Sequence, residues 1–196
     1  THLNISKCQQ RYLVGGSWGS IVSAVYAENH PEMFHKIILG SFGTKPNSVL
    51  NAIISQVQVY IEEGRGAEIA PMMIEKFGQY IPDVLKKQIL AQFNNMSDQQ
   101  FRSFYEHSVF VTQLGDLKNH MNLNLIRVPT LVVMGQFDTI MDLFDTRKAT
   151  KLIPLGRFQL IKGVGHFLHW EQPNILPIYE SFFSESSKSL ENINLA

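Results

Sequence analysis

The sequence predicts an α/β fold: a parallel sheet flanked by helices, with a helical insertion between two of its strands. Two short apolar runs, at 12–14 and 36–41, enclose a helical pattern. That is a βαβ unit, which implies parallel strands joined by a right-handed crossover. Two more apolar runs, at 129–135 and 158–161, come late and enclose another helical segment. Between the pairs, from 43 to about 125, no β-rich run appears and helical segments follow one another.

Composition limits the function classes. The chain has 196 residues, enough for one domain with a core of its own. Hydrophobic residues make up 44% and charged residues 17%, ordinary values for a globular protein. Seventeen basic residues balance seventeen acidic ones, and no basic stripe stands out. Nucleic acid and an anionic membrane surface are therefore not expected as partners. The single cysteine, Cys8, rules out an internal disulfide and reads as a small apolar filler. No apolar run approaches membrane-spanning length. No signal peptide is visible and a cytoplasmic location is expected, although the chain begins at Thr1 without a methionine.

Residues 1–10 are polar with scattered apolar positions and read as the end of a helix. The strand at 11–14 runs into Gly15-Gly16-Ser17-Trp18-Gly19, which fits G-x-S-x-G, and a helix is predicted over 20–29. Strand, sharp turn and helix form the context of a nucleophile elbow. So sharp a turn must hold its central residue in a strained conformation, lifting that side chain clear of the sheet edge. The flanking glycines are expected because a Cβ at either position would collide with the neighbouring strand or helix. The helix N-terminus then aims its free N–H groups and positive dipole end at whatever sits over Ser17. Gly19, Ser20, Ser23, Ala24 and Ala27 make one small-residue face that can pack on a sheet. His30-Pro31 ends the helix.

In the insertion, helices are predicted over 49–63, 67–77, 82–94 and 98–112. Ser97 and Gln100 have the spacing of a capping box. Met72, Met73 and Met96 read as core filler, or else as the lining of an adaptable apolar pocket. After the strand at 129–135 comes a helix over 142–152, then the strand at 158–161. Pro173 opens a final helix reaching about 183, and the polar, serine-rich end frays. The expected division is a sheet core from 1–43 and 126–185, a helical cap from 44–125 and a frayed tail at 186–196.

A serine hydroxyl becomes a useful nucleophile only when a base takes its proton, and the base needs an orienting acid. Parallel sheets place functional groups just beyond the C-terminal ends of their strands. Asp138 follows the third strand in Gly135-Gln136-Phe137-Asp138, and His166 follows the fourth in Gly163-Val164-Gly165-His166. Asp142 and Asp145 are rival acids, and His169 is a rival base. The other five histidines are scattered, and no pair has metal-ligand spacing, so neither a metal nor another cofactor is expected.

With Ser17, Asp138 and His166 in that chain order, the sequence resembles the α/β-hydrolases from the elbow to about residue 183. The resemblance implies that Ser17 is the nucleophile, His166 the general base and acid, and Asp138 the residue orienting His166. It also makes the backbone N–H of Trp18 one oxyanion donor. The substrate would be a small-molecule acyl compound: an ester, thioester or amide. Gly15-Gly16-Ser17-Trp18-Gly19-Ser20, with Tyr26-Ala27 and His30-Pro31-Glu32, is similar to the elbow of proline iminopeptidases. Gly78-Gln79-Tyr80-Ile81-Pro82 and Gly165-His166-Phe167-Leu168 resemble acyltransferases that make hydroxyacyl lipid precursors from acyl-carrier-protein thioesters. That group usually carries an acidic residue where His169 stands.

A serine hydrolase is the expectation. The alternatives are an acyltransferase using hydroxyacyl thioesters and a non-catalytic hydrolase-like binding module. A nucleotide-binding domain is disfavoured, because Gly15-Gly16-Ser17-Trp18-Gly19 lacks the dinucleotide spacing. Family members have several strands before the elbow, and a loop there supplies the second oxyanion N–H. Only ten residues precede Arg11 here. The resemblance therefore implies an incomplete core: the C-terminal part of a larger protein, with the N-terminal half absent or supplied by another chain. Its strand order would leave the elbow strand as an apolar sheet edge.

Overall fold

Alternation along the strands decides how this molecule is layered. The computed structural model describes residues 11–185. Cys8, the helix end expected over 1–10 and the tail expected over 186–196 lie outside the described residues. Four strands, β1 (Tyr12–Gly16), β2 (Lys36–Gly40), β3 (Thr130–Gly135) and β4 (Gly156–Ile161), form one parallel sheet in the order β1-β2-β3-β4. Every residue of β2 and β3 is buried, as expected for parallel strands covered on both faces. Ile37, Leu39 and Val132 face one layer; Ile38, Leu131 and Val133 face the other.

The first layer is α1 (Trp18–Asn29) with α6 (Leu143–Leu152). Ser20, Ser23, Ala24 and Ala27 are the buried positions of α1, so its small-residue face does lie on the sheet. The second layer is α7 (Leu168–Glu171) and α8 (Leu176–Ser184), which contribute Leu168, Tyr179 and Phe182. Buried Lys36 ties α8 to the sheet: its ammonium donates to the carbonyls of Phe182, Phe183 and Glu185, at 2.6, 3.0 and 2.6 Å. These are carbonyls at the end of α8, where no further helical turn supplies donors.

Between β2 and β3 the chain forms α2 (Ser48–Glu62), α3 (Ile69–Phe77), α4 (Asp83–Asn94) and α5 (Asp98–Leu114). Their shared core includes Ile53, Val57, Ile69 and Phe77. Asn47 caps α2, and the Ser97–Gln100 capping box starts α5 with both of its halves formed. Gly115, at a φ of 61°, ends α5. Two 3₁₀ turns follow, and from them Leu117, Met121 and Leu123 join the core beneath α1 and α6. Among the described residues no helix is long and apolar enough to cross a membrane.

The structure departs from the sequence expectation at several element boundaries: β4 starts at Gly156, the helix expected over 67–77 starts at Ile69 after a 3₁₀ turn, and α5 runs on to Leu114. Three further departures have a local cause. β1 continues to Gly16 and α1 begins at Trp18, because the turn is a single residue wide. Residues 173–175 form a 3₁₀ turn, and the last α-helix starts only at Leu176, with Pro177 in its first turn, where a missing N–H matters least. The short α7 had no counterpart in the sequence pattern, since one helical turn is too brief to show a period.

Candidate active site

Ser17 is the whole of the turn between β1 and α1. Its φ of 53° and ψ of −123° lie where non-glycine residues rarely go. Such a residue costs on the order of 1–3 kcal/mol and persists only when its surroundings hold it. Its N–H donates to the carbonyl of Gly40 at 2.8 Å, and its carbonyl accepts from the N–H and hydroxyl of Ser20 at 2.9 and 2.6 Å. The backbone is thus pinned to β2 on one side and to α1 on the other, leaving the side chain to project.

The two flanking glycines are not equivalent. A Cβ on Gly15 would overlap the carbonyl oxygen of Gly19 and the Oγ of Ser23, so the close approach of strand and helix requires glycine there. At Gly19 no described atom beyond its chain neighbours and the backbone of its own helix lies within 4 Å of the Cβ position, which corrects the expectation of a clash on both sides. Gly19 already lies within the first turn of α1, and its side-chain direction points into open space.

Asp138 and His166 come from the loops after β3 and β4, and backbone contacts bring these loops together. The N–H of Phe137 donates to the carbonyl of Val164 at 2.8 Å, and Gly163 N–H donates to the Gln136 side chain at 3.1 Å. Gly135 permits this approach, since a Cβ there would overlap the carbonyls of Val164 and Gly165. His166 Nδ1 lies 2.8 Å from Asp138 Oδ2, and His166 Nε2 lies 2.7 Å from Ser17 Oγ. The side chains of His166 and Asp138 are 1% and 0% exposed. The other carboxylate oxygen of Asp138 accepts from the N–H groups of Ile140 and Met141, at 3.1 and 3.0 Å. Because an ionised carboxylate only accepts, Nδ1 carries the proton in this pair and Nε2 is left to accept from the serine hydroxyl.

The structure thus brings Ser17, His166 and Asp138 into one hydrogen-bonded line. Trp18, as the first residue of α1, has one of the N–H groups that a helix leaves without an intrahelical partner. The rival residues have other work. Asp142 caps α6 by accepting from Asp145 N–H at 2.7 Å. Asp145 accepts from the hydroxyl of Thr44 at 2.8 Å and lies 3.7 Å from the Lys118 ammonium. His169 meets the Tyr179 hydroxyl at 3.0 Å, and burial lowers the pKa of its imidazole. Burial also pushes the Tyr179 phenol up to about 12.

A cavity of about 280 Å³ has Ser17 and His166 in its wall. Most of its lining is apolar and comes from the helical block, including Ile53, Val57, Met73 and Phe104. Of the three methionines singled out in the sequence, Met73 lines this cavity, Met72 packs in the core of the helical block and Met96 borders a shallow surface pocket. Met141, from the loop after Asp138, also lines the cavity. Aromatic contacts tie the helical block to the two loops. Phe77 stacks on Phe167 at 5.2 Å and meets the His166 ring edge-on at 5.8 Å, while Tyr80 stacks on Phe137 at 5.2 Å. Sequence reasoning named Tyr80, Phe137 and Phe167 within motifs but missed these contacts, and it missed the roles of Ser41 and Glu171, which bond the backbone around His166. Their signals are spatial, apart from the helical spacing that returns residue 171 to residue 167.

No family model matches the chain. Its sequence is 19% identical over 167 residues to an (R)-3-hydroxydecanoyl-ACP:CoA transacylase of Pseudomonas aeruginosa, covering 85% of this chain and 56% of that protein. It is 19% identical over 195 residues to a proline iminopeptidase of Xylella fastidiosa, covering 78% and 60%. It is 22% identical over 173 residues to monoacylglycerol lipase ABHD6 of Bos taurus, covering 83% and 51%. The chain therefore spans between half and two thirds of the length of these relatives. Among solved structures, MGS-M2, an alpha/beta hydrolase enzyme from a Medee basin deep-sea metagenome library, superposes with a TM-score of 0.74 at 17% identity. That match covers 91% of this chain and 66% of MGS-M2. The enol-lactonase from Burkholderia xenovorans LB400 gives 0.73 at 15% identity, covering 90% and 66%. With its parallel sheet and flanking helices, the chain has the α/β-hydrolase fold, and its relatives in sequence and structure point to the α/β-hydrolase superfamily.

Proposed function

We propose that the chain is a serine hydrolase in which Ser17, His166 and Asp138 form a catalytic triad and an acyl-enzyme forms on Ser17. The observation that carries this reading is the continuous line from Ser17 Oγ to His166 Nε2 and from His166 Nδ1 to Asp138. Ser17 Oγ attacks the carbonyl carbon of an ester, thioester or amide while His166 Nε2 takes the hydroxyl proton. Asp138 holds the imidazole in the required tautomer and stabilises its charged form. The oxyanion of the tetrahedral intermediate faces the N–H of Trp18 and the positive end of α1. His166 then gives its proton to the departing alcohol, thiol or amine, and the acyl group stays on Ser17. Water, activated by the same imidazole, releases the acid. The apolar cavity beside Ser17 favours an apolar acyl group.

Acyl transfer is the second reading, in which another nucleophile replaces water at the last step. The likeness to the (R)-3-hydroxydecanoyl-ACP:CoA transacylase, over 85% of this chain, favours it. Covalent labelling by a fluorophosphonate probe tests what the two readings share. Labelling is expected for the wild type and is abolished in both Ser17→Ala and His166→Ala. A wild-type chain that labels only when an N-terminal part is added back would mean a split enzyme, and failure in both forms would leave a hydrolase-like binding module. Where labelling succeeds, the acyl-enzyme can be offered water alone or a thiol acceptor, and the products separate hydrolysis from transfer.

A further inference from the structure

His166 belongs to the loop at 162–167, and a loop side chain is held in place by its own contacts and by the bonds that fix its backbone. Three such bonds surround this histidine. Ser41 Oγ donates to the carbonyl of His166 at 2.6 Å. The Glu171 carboxylate receives the N–H of Gly165 on one oxygen, at 2.5 Å, and the N–H of Phe167 on the other, at 3.0 Å. The residue before His166, the residue after it and its own carbonyl are all held, and the two anchors come from different parts of the fold.

Both anchors are set for this purpose. Ser41 follows β2, is buried, and holds a φ of 49°, a conformation glycine would adopt more easily. Its N–H donates to the carbonyl of Val133 at 2.7 Å, which fixes its hydroxyl against the sheet. Glu171 ends the single turn of α7, where a helical side chain points back over the preceding turn and so over residue 167. An ionised carboxylate accepting two backbone N–H groups makes stronger bonds than a neutral acceptor would. The Asp138 bond and the Phe77 contact hold the ring, while the three bonds to Ser41 and Glu171 hold the backbone that carries it.

We propose that Ser41 and Glu171 are the positioning residues of His166: together they fix the backbone that sets Nε2 opposite Ser17 Oγ. The effect on activity rests on the serine-nucleophile reading above, whereas the alignment of the imidazole does not. Misplacement of a reacting group by about 1 Å can cost on the order of 10²-fold in rate. Loss of either anchor should therefore slow acylation of Ser17 by roughly 10- to 100-fold.

The test uses the full chain and the variants Ser41→Ala, Ser41→Gly, Glu171→Gln and Glu171→Ala. Three quantities are read: the fluorophosphonate labelling rate, the low-field proton resonance of His166 Nδ1–H, assigned by its loss in His166→Ala, and the thermal transition. Ser41→Ala and Glu171→Ala are expected to melt cooperatively, to label 10- to 100-fold more slowly and to broaden or shift the imidazole resonance. Ser41→Gly should behave like Ser41→Ala although it relaxes the backbone, which separates the hydroxyl from the strain. Glu171→Gln keeps one acceptor oxygen and should fall between wild type and Glu171→Ala. Folded variants with wild-type labelling and a wild-type imidazole resonance overturn the proposal. If the wild type does not label even with an N-terminal part added back, the serine-nucleophile reading fails, and the imidazole resonance alone decides the positioning role. If Glu171→Ala does not fold, Glu171→Gln and Ser41→Ala decide it.

Discussion

At the scale of single residues, the site depends on which of several chemically equivalent groups is placed to act. Three aspartates follow the end of β3 within ten positions, and only Asp138 reaches an imidazole; Asp142 and Asp145 serve α6 and its contacts. Asp138→Asn keeps the size of the side chain but lets it donate to Nδ1, which selects the wrong tautomer, and a fall of about 10⁴-fold in the labelling rate is expected. Asp142→Ala should label normally while losing about 1 kcal/mol of stability with its helix cap. Equal labelling loss in both variants would mean that the acid has been misassigned. The glycines divide in the same way. Gly15→Ala forces a Cβ into Gly19 and Ser23 and should destabilise the fold by about 1–3 kcal/mol, read as a lower urea midpoint. Gly19→Ala meets open space in a helix and should leave the midpoint unchanged or raise it by up to about 1 kcal/mol. Ser17, Asp138 and His166 were legible in the sequence as candidates because each follows an apolar strand at a short interval. The roles of Ser41 and Glu171 were not, since what they bond is the backbone of residues distant in the chain or across a turn that no period reveals.

At the scale of elements, the strands and long helices were readable and the joints between them were not. The small-residue face of α1 and the capping box of α5 are local patterns that the folded chain realises as written. Lys36 is the opposite case. A lysine at the start of a strand reads as a solvated end, yet here it is buried and caps α8, and burial lowers the pKa of its ammonium. Its value lies in carbonyls about 146 positions away in sequence, which no window of residues could connect. Lys36→Met keeps the stem and removes the donor, leaving those carbonyls unsatisfied. A loss of about 1–3 kcal/mol in urea unfolding is expected, and an unchanged midpoint would show that water reaches those carbonyls freely.

At the scale of the whole molecule, the segments after all four strands and a helical block converge on one cavity. Tyr179, buried in α8 and bonded to His169 of α7, offers a test of the second layer's packing that needs no substrate. The folded state holds the Tyr179 proton up to about pH 12, against 10.0 for an unburied tyrosine. Between these values the native state binds more protons than the unfolded state, so stability falls as pH rises through this window. Tyr179→Phe removes that component. The stability difference between wild type and variant should be flat below pH 10 and shift against the wild type above it; a difference that stays constant to pH 12 would mean the phenol is exposed. The sequence by itself determined the order of strands and helices, the elbow and the three residues of the triad candidate, because these follow from apolar periodicity and from short spacings to strand ends. Tertiary structure alone decided the contacts that join Ser17 to His166 and His166 to Asp138, which glycine is indispensable, and which residues hold the histidine loop. Those outcomes depend on distances between segments far apart in the chain, and such distances exist only once the sheet has brought its strand ends together.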